Sequence, residues 1–148
     1  MNLAPFLPAL ILSGILVTPT AVQAVCLDPE TGLSGYRVAL EQEMRISPLI
    51  LVGTVVKSRT LREDRSDPSA ITAQLYSVRV ERVLKGPAAA VLEIRSENAS
   101  SRYAMARGEQ HLLFLTRDGR RLFVDGCGNS AALPGAAAVL EQIENIRH

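Results

Sequence analysis

Only two cysteines occur in the 148 residues, Cys26 and Cys127, and between them lies most of the chain. Once bonded, they would force nearly every element to fold inside one covalent loop, which restricts the topology more than any other feature. Whether such a pair bonds depends on the compartment, because disulfides persist where the surroundings are oxidising. The amino-terminal run bears on that question. Residues Met1 to Ala24 carry no charged side chain, pass through Leu10-Ile11-Leu12 and Ile15-Leu16-Val17, and turn small and polar at Thr18-Pro19-Thr20. Val22 and Ala24 supply the small residues that a signal peptidase accepts, so the expected cut precedes Val25. An uncleaved membrane anchor is the alternative, since the stretch is nearly long enough to span a bilayer and lacks a lysine or arginine near Met1. Pro5, Pro8 and Pro19 and the peptidase-like exit favour cleavage. A lipoprotein is disfavoured by Ala24-Val25 ahead of Cys26.

The expectation is an export signal over 1–24 and one domain over 25–148, secreted or periplasmic, with no stable membrane association after the signal is removed. In that compartment Cys26 and Cys127 are expected to form a structural disulfide. Closing a loop of about a hundred residues contributes on the order of 4–5 kcal/mol in the chain-entropy view. A redox pair would want Cys-x-x-Cys, which is absent, and two cysteines with His111 and His148 match no zinc spacing. No metal or other cofactor is expected. The formal net charge of +1 gives no electrostatic case for nucleic acid or an anionic membrane.

Periodicity supplies the elements. Leu33, Tyr36, Leu40 and Met44 recur three or four apart, with Glu41, Gln42 and Glu43 as a polar face and Ser47-Pro48 as a stop, which predicts a short helix. Leu49 to Val56 is almost unbroken β-branched and aliphatic sequence, the mark of a strand covered on both faces, and Gly53 inside it predicts a bend or close approach. Ser58 to Ser69 mixes charges without a period and reads as an exposed hairpin loop. Leu75 to Leu84 alternates, with Tyr76, Val78 and Val80 inward, and slips at Arg82-Val83-Leu84 as a bulge would. Val91 to Arg95, with Leu92 and Ile94 inward, Leu112 to Leu115, and Leu122 to Val124 are the remaining strands, the last two joined at Asp118-Gly119. Val139, Leu140, Ile143 and Ile146 mark a carboxy-terminal helix. Five strands with a helix before and after predict a mainly β fold: one small, partly open five-stranded barrel of the OB type.

Val52-Gly53-Thr54-Val55-Val56, the run Tyr76 to Gly86, Gly108-Glu109-Gln110-His111-Leu112-Leu113-Phe114-Leu115 and Cys127-Gly128, in that order behind Cys26 and a helix, resemble the netrin-like domains. The chain is most similar to the small secreted bacterial relatives of the tissue inhibitors of metalloproteinases, over roughly Cys26 to Leu133. The resemblance implies an OB-type barrel whose amino-terminal segment is tied by disulfide to the end of the last strand. The animal inhibitors begin with Cys-x-Cys and carry several disulfides, whereas Cys26-Leu27-Asp28 offers one cysteine.

No constellation for catalysis stands out. His111 shares a face with Leu113 and Leu115 in one register and reads as a core or rim histidine, with no Gly-x-Ser-x-Gly motif beside it. The pairs Glu41 and Glu43, Asp64 and Asp67, and Glu93 and Glu97 read as solvated charge. Arg59, Arg62 and Arg65 in the first loop and Arg117, Arg120 and Arg121 around the Asp118-Gly119 turn are candidate partner-binding residues, as are Val25 and Cys26 at the amino-terminal segment. OB barrels bind single strands through such loops with stacking aromatics, but aromatics are only 4% of this chain and acids interleave with the first cluster. Asn98-Ala99-Ser100 matches the glycosylation sequon, a triplet common by chance. The expected function is a non-enzymatic binding module for another extracytoplasmic protein or an envelope component. A metalloprotease inhibitor is the alternative, and an envelope hydrolase built around His111 the second alternative.

Overall fold

A computed structural model describes residues 25–146. The export signal expected over 1–24, and His148, lie outside the described residues. The chain runs through α1 (Leu40–Ile46), β1 (Leu49–Leu61), β2 (Ala73–Lys85), β3 (Val91–Glu97), β4 (Gln110–Asp118), β5 (Arg121–Phe123), β6 (Ala131–Ala132) and α2 (Ala137–Ile146). The fold is mainly β with two helices, and no described helix is long and apolar enough to cross a membrane.

The strands lie in the order β1-β2-β3-β5-β4-β6, and β4 also pairs with β1, so five strands close into a ring with the two-residue β6 outside it. All pairings are antiparallel except β3 with β5, where Ile94 and Arg95 stand opposite Leu122 and Phe123. Alternation decides which side chains enter the ring. Leu49, Leu51 and Val55 of β1 meet Tyr76, Val78, Ile94, Leu113, Leu115, Leu122 and Val124 inside. The intervening Ile50 and Val52 face outward, with Leu112 and Phe114, and are buried beneath Ile143 of α2 and Leu40 and Met44 of α1. An unbroken apolar run is therefore what β1 requires, one face for the interior and one for the helices. Each such side chain fully buried contributes on the order of 2 kcal/mol.

Gly53 lies where β1 presses on β2: a Cβ there would stand 2.6 Å from Val78 Cγ1 and 2.7 Å from the Arg79 carbonyl oxygen. The register between these strands shifts three times, and one shift passes over Leu84 between the pairs Leu51–Val83 and Ile50–Lys85. That is the bulge expected from the slipped alternation, and it buries Leu84 with Ile50 and Val52 beneath the helices while Val83 stays exposed.

Three sequence expectations need correction. The first helix does not begin at Leu33. Gly35 adopts φ +92°, outside helical space. The Gly35 and Tyr36 N–H groups donate to the Cys26 carbonyl, and the Val38 N–H donates to that of Cys127. These donors serve the cysteine segments, so helix starts only at Leu40. The loop expected from Ser58 is shorter than expected, because β1 continues to Leu61 and pairs residue by residue with β2 back to Ala73. Glu43, expected on a solvated face, is buried: its Oε2 accepts from the backbone N–H of Asn129 at 2.6 Å and from Asn129 Nδ2 at 2.6 Å. Burial pushes its carboxyl above the ordinary value, partly opposed by those two bonds.

Cys26 and Cys127 are joined by a disulfide with Cα atoms 5.4 Å apart. Close to it, Asn129 Nδ2 donates to the Val38 carbonyl at 2.9 Å, and at the other end of α1 Lys85 Nζ donates to the carbonyls of Met44 at 2.6 Å and Arg45 at 3.0 Å. A cation at that end also favours the helix dipole.

Candidate functional site

Beyond Val55, β1 leaves β4 and runs with β2 alone. The pairings Arg59–Leu75, Leu75–Arg95 and Arg95–Phe123 then set one row across β1, β2, β3 and β5. Arg95 is at the centre of that row and is buried, 9% exposed. Its Nε donates to Glu97 at 2.5 Å, its Nη2 to the same carboxylate at 3.2 Å, and its Nη1 pairs with Glu63 at 2.7 Å. A guanidinium so deeply placed needs both carboxylates, since an unpaired buried charge costs several kcal/mol.

The loop after β1 is built to deliver Glu63. The Thr72 N–H donates to the Leu61 carbonyl at 2.9 Å and closes the loop's base, while the Glu63 N–H donates to Thr72 Oγ1 at 3.2 Å. Farther out, Asp64 accepts from Ser66 and Asp67 from Ser69, through backbone and hydroxyl donors, and these bonds hold both carboxyls below their ordinary values. Those aspartates shape the loop and are not aimed at a shared reacting atom.

Opposite the loop, the β4–β5 turn carries Arg120, and Arg121 opens β5. Together the two loops enclose a cleft of about 260 Å³ walled by Arg59, Glu63, Glu93, Arg95, Arg120 and Arg121 over Leu61, Leu75 and Leu122. Ion pairs among the described residues include Arg95 but not Arg59, Arg120 or Arg121. Three cations therefore face the cleft uncommitted. A larger hollow of about 410 Å³ between the helices is lined by Ala39, Leu40, Glu41, Gln142, Asn145 and Ile146, with Glu41 as its one charged residue. The arginine cleft is the better candidate on chemistry.

The chain matches no protein-family model and no curated protein. The cleft's own chemistry therefore carries the functional reading.

Of the arginines named from the sequence, Arg59, Arg120 and Arg121 converge, whereas Arg62, Arg65 and Arg117 lie outside the cleft lining. Val25 and Cys26 also lie outside it. Val25 is exposed and its N–H donates to the Ser100 carbonyl at 2.9 Å, while Cys26 is buried. Arg95 and Glu63 were missed. The signal for Arg95 was its position between Glu93 and Glu97 on the same face of β3, a period that puts a cation between two anions.

His111 sits at one end of the ring interior, 2% exposed. Glu109 can only accept, so Nε2 donates to its carboxylate at 3.2 Å, which leaves Nδ1 to accept from the Tyr103 hydroxyl at 2.8 Å. Burial lowers the imidazole's pKa and raises that of the Tyr103 phenol. The polar groups converge, but neither described hollow opens onto them. They read as a satisfied polar plug. Among the described residues, no group of three His, Cys, Asp or Glu is placed to hold a metal ion.

Proposed function

We propose that the protein is an extracytoplasmic, non-enzymatic binding module on an OB-type barrel, related in kind to the netrin-like and tissue-inhibitor-like domains, and that the arginine cleft is its binding face. The observation that carries this reading is the convergence of Arg59, Arg120 and Arg121, unpaired, beside the pinned Arg95. Charged side chains without partners, gathered over an apolar floor, suit recognition of an anionic group more than they suit stability. The five-strand ring and the Cys26–Cys127 bridge support the fold assignment and an oxidising location.

The test is capture from an envelope extract and from culture medium, using the immobilised protein beside a variant carrying Arg59→Glu and Arg120→Glu. A partner held by the native protein and released by the charge reversal is the expected result. Capture that is indifferent to the reversal, or no capture, overturns the reading.

The inhibitor reading has one observation in its favour, the bridge that ties down Cys26. Inhibitors of the resembled family present the α-amine and carbonyl oxygen of an amino-terminal cysteine to the catalytic zinc. Here the Cys26 carbonyl already accepts from Gly35 N–H at 2.8 Å and Tyr36 N–H at 3.2 Å. With a cut before Val25, Cys26 also supplies only a peptide nitrogen, which has no lone pair for an open zinc position. Protein beginning at Val25 should leave zinc metalloproteases fully active at roughly micromolar concentration, a range that detects affinities near −8 kcal/mol. Potent inhibition would restore the inhibitor reading.

A further inference from the structure

We infer that the cleft is a carboxylate site: its ligand group is a carboxylate on a short aliphatic arm, presented as an acidic side chain of a protein partner or as a free short organic acid. The inference rests on the cleft being the binding face. Arg95 is already matched by Glu63 and Glu97. Arg59, Arg95, Arg120 and Arg121 together outnumber Glu63, Glu93 and Glu97 by one, an excess positive charge suited to a single carboxylate. Arginine's planar fork meets a carboxylate through two parallel N–H donors, which gives geometry as well as charge.

The floor sets the rest of the ligand. Leu61 and Leu122 are largely buried there and Leu75 lies between them in the cleft wall, so a methylene arm loses water against them while its head reaches the arginines. A volume of about 260 Å³ falls below the ~300–1,000 Å³ usual for drug-sized ligands. It suits an arm of a few carbons. No aromatic residue lines the cleft, so a nucleobase finds no stacking surface. Glu93 in the wall works against a polyphosphate or any other dense polyanion.

The experiment titrates the purified, oxidised protein by calorimetry with a blocked pentapeptide centred on glutamate, its glutamine counterpart, glutarate and inorganic phosphate. The glutamate peptide should bind at least about ten-fold more tightly than the glutamine peptide, a difference of roughly 1.4 kcal/mol. Arg59→Ala with Arg120→Ala should abolish that preference while thermal unfolding stays unchanged, and Arg62→Ala with Arg65→Ala, outside the cleft, should preserve it. Glutamate peptide without glutarate supports a protein side chain as the source; both together support a free acid as well. Glutarate binding with no preference between the peptides supports a free acid alone. Phosphate binding as tightly as either carboxylate, equal binding of the two peptides without glutarate binding, or carboxylate binding that survives loss of Arg59 and Arg120 overturns the inference. Charge-dependent capture from extract with any of these failures would leave the binding face standing and remove only the carboxylate.

Discussion

Glu43 is the residue whose environment departs most from its sequence context. It lies on a short helix beside Glu41 and Gln42, yet its carboxylate is buried against Asn129, with Gly128 so close that a Cβ there would collide with it. Because burial raises its folded pKa above the ordinary glutamate value of 4.5, the folded state favours the protonated form. Its contribution to stability is therefore present below that value and is lost as pH rises through the folded pKa. Glu43→Gln keeps an acceptor for Asn129 and removes the charge. The stability of the variant relative to the native protein should rise between about pH 4 and about pH 7, read from urea midpoints at each pH. A flat or falling difference would show that the two Asn129 bonds outweigh desolvation.

At the scale of elements, β2 gives the sharpest test. Val78 is fully buried inside the ring and its neighbour Arg79 points to solvent, with only a 3.8 Å contact to Glu81. Val78→Asp should unfold or insolubilise the protein, since an unpaired buried carboxylate costs several kcal/mol. Arg79→Asp should cost less than about 1 kcal/mol, measured by the same denaturation. The strands were legible in the sequence because alternation and apolar runs are local, and the Leu84 bulge showed as a local slip. The start of α1 was not, because the helical spacing of Leu33 and Tyr36 is defeated by bonds to Cys26 and Cys127 that only the folded chain supplies. The cleft was half legible. Arg59, Arg120 and Arg121 were named in two separate clusters, but their meeting depends on a parallel pairing of β3 with β5, and the burial of Arg95 depends on Glu63 from a distant loop.

Over the whole molecule, the ring and the bridge stabilise by different means. The ring does so through the apolar side chains it encloses, whereas the bridge restricts the unfolded chain across 101 residues. Cys26→Ser with Cys127→Ser should therefore lower unfolding stability by about 4 kcal/mol while near-native circular dichroism persists at low denaturant. Loss of all β signal in the variant would mean that the ring cannot close without the bridge.

The same bridge has a consequence for a chain that has been cut. The turn between β1 and β2 carries Arg62 and Arg65, both exposed, and exposed loop tips are where proteases nick. A trypsin-like cut at either arginine severs the peptide between the two cysteines, yet Cys26 stays on one piece and Cys127 on the other. The pieces should migrate as one band without reductant and as two with it, and the nicked protein should elute from a sizing column as the intact one does.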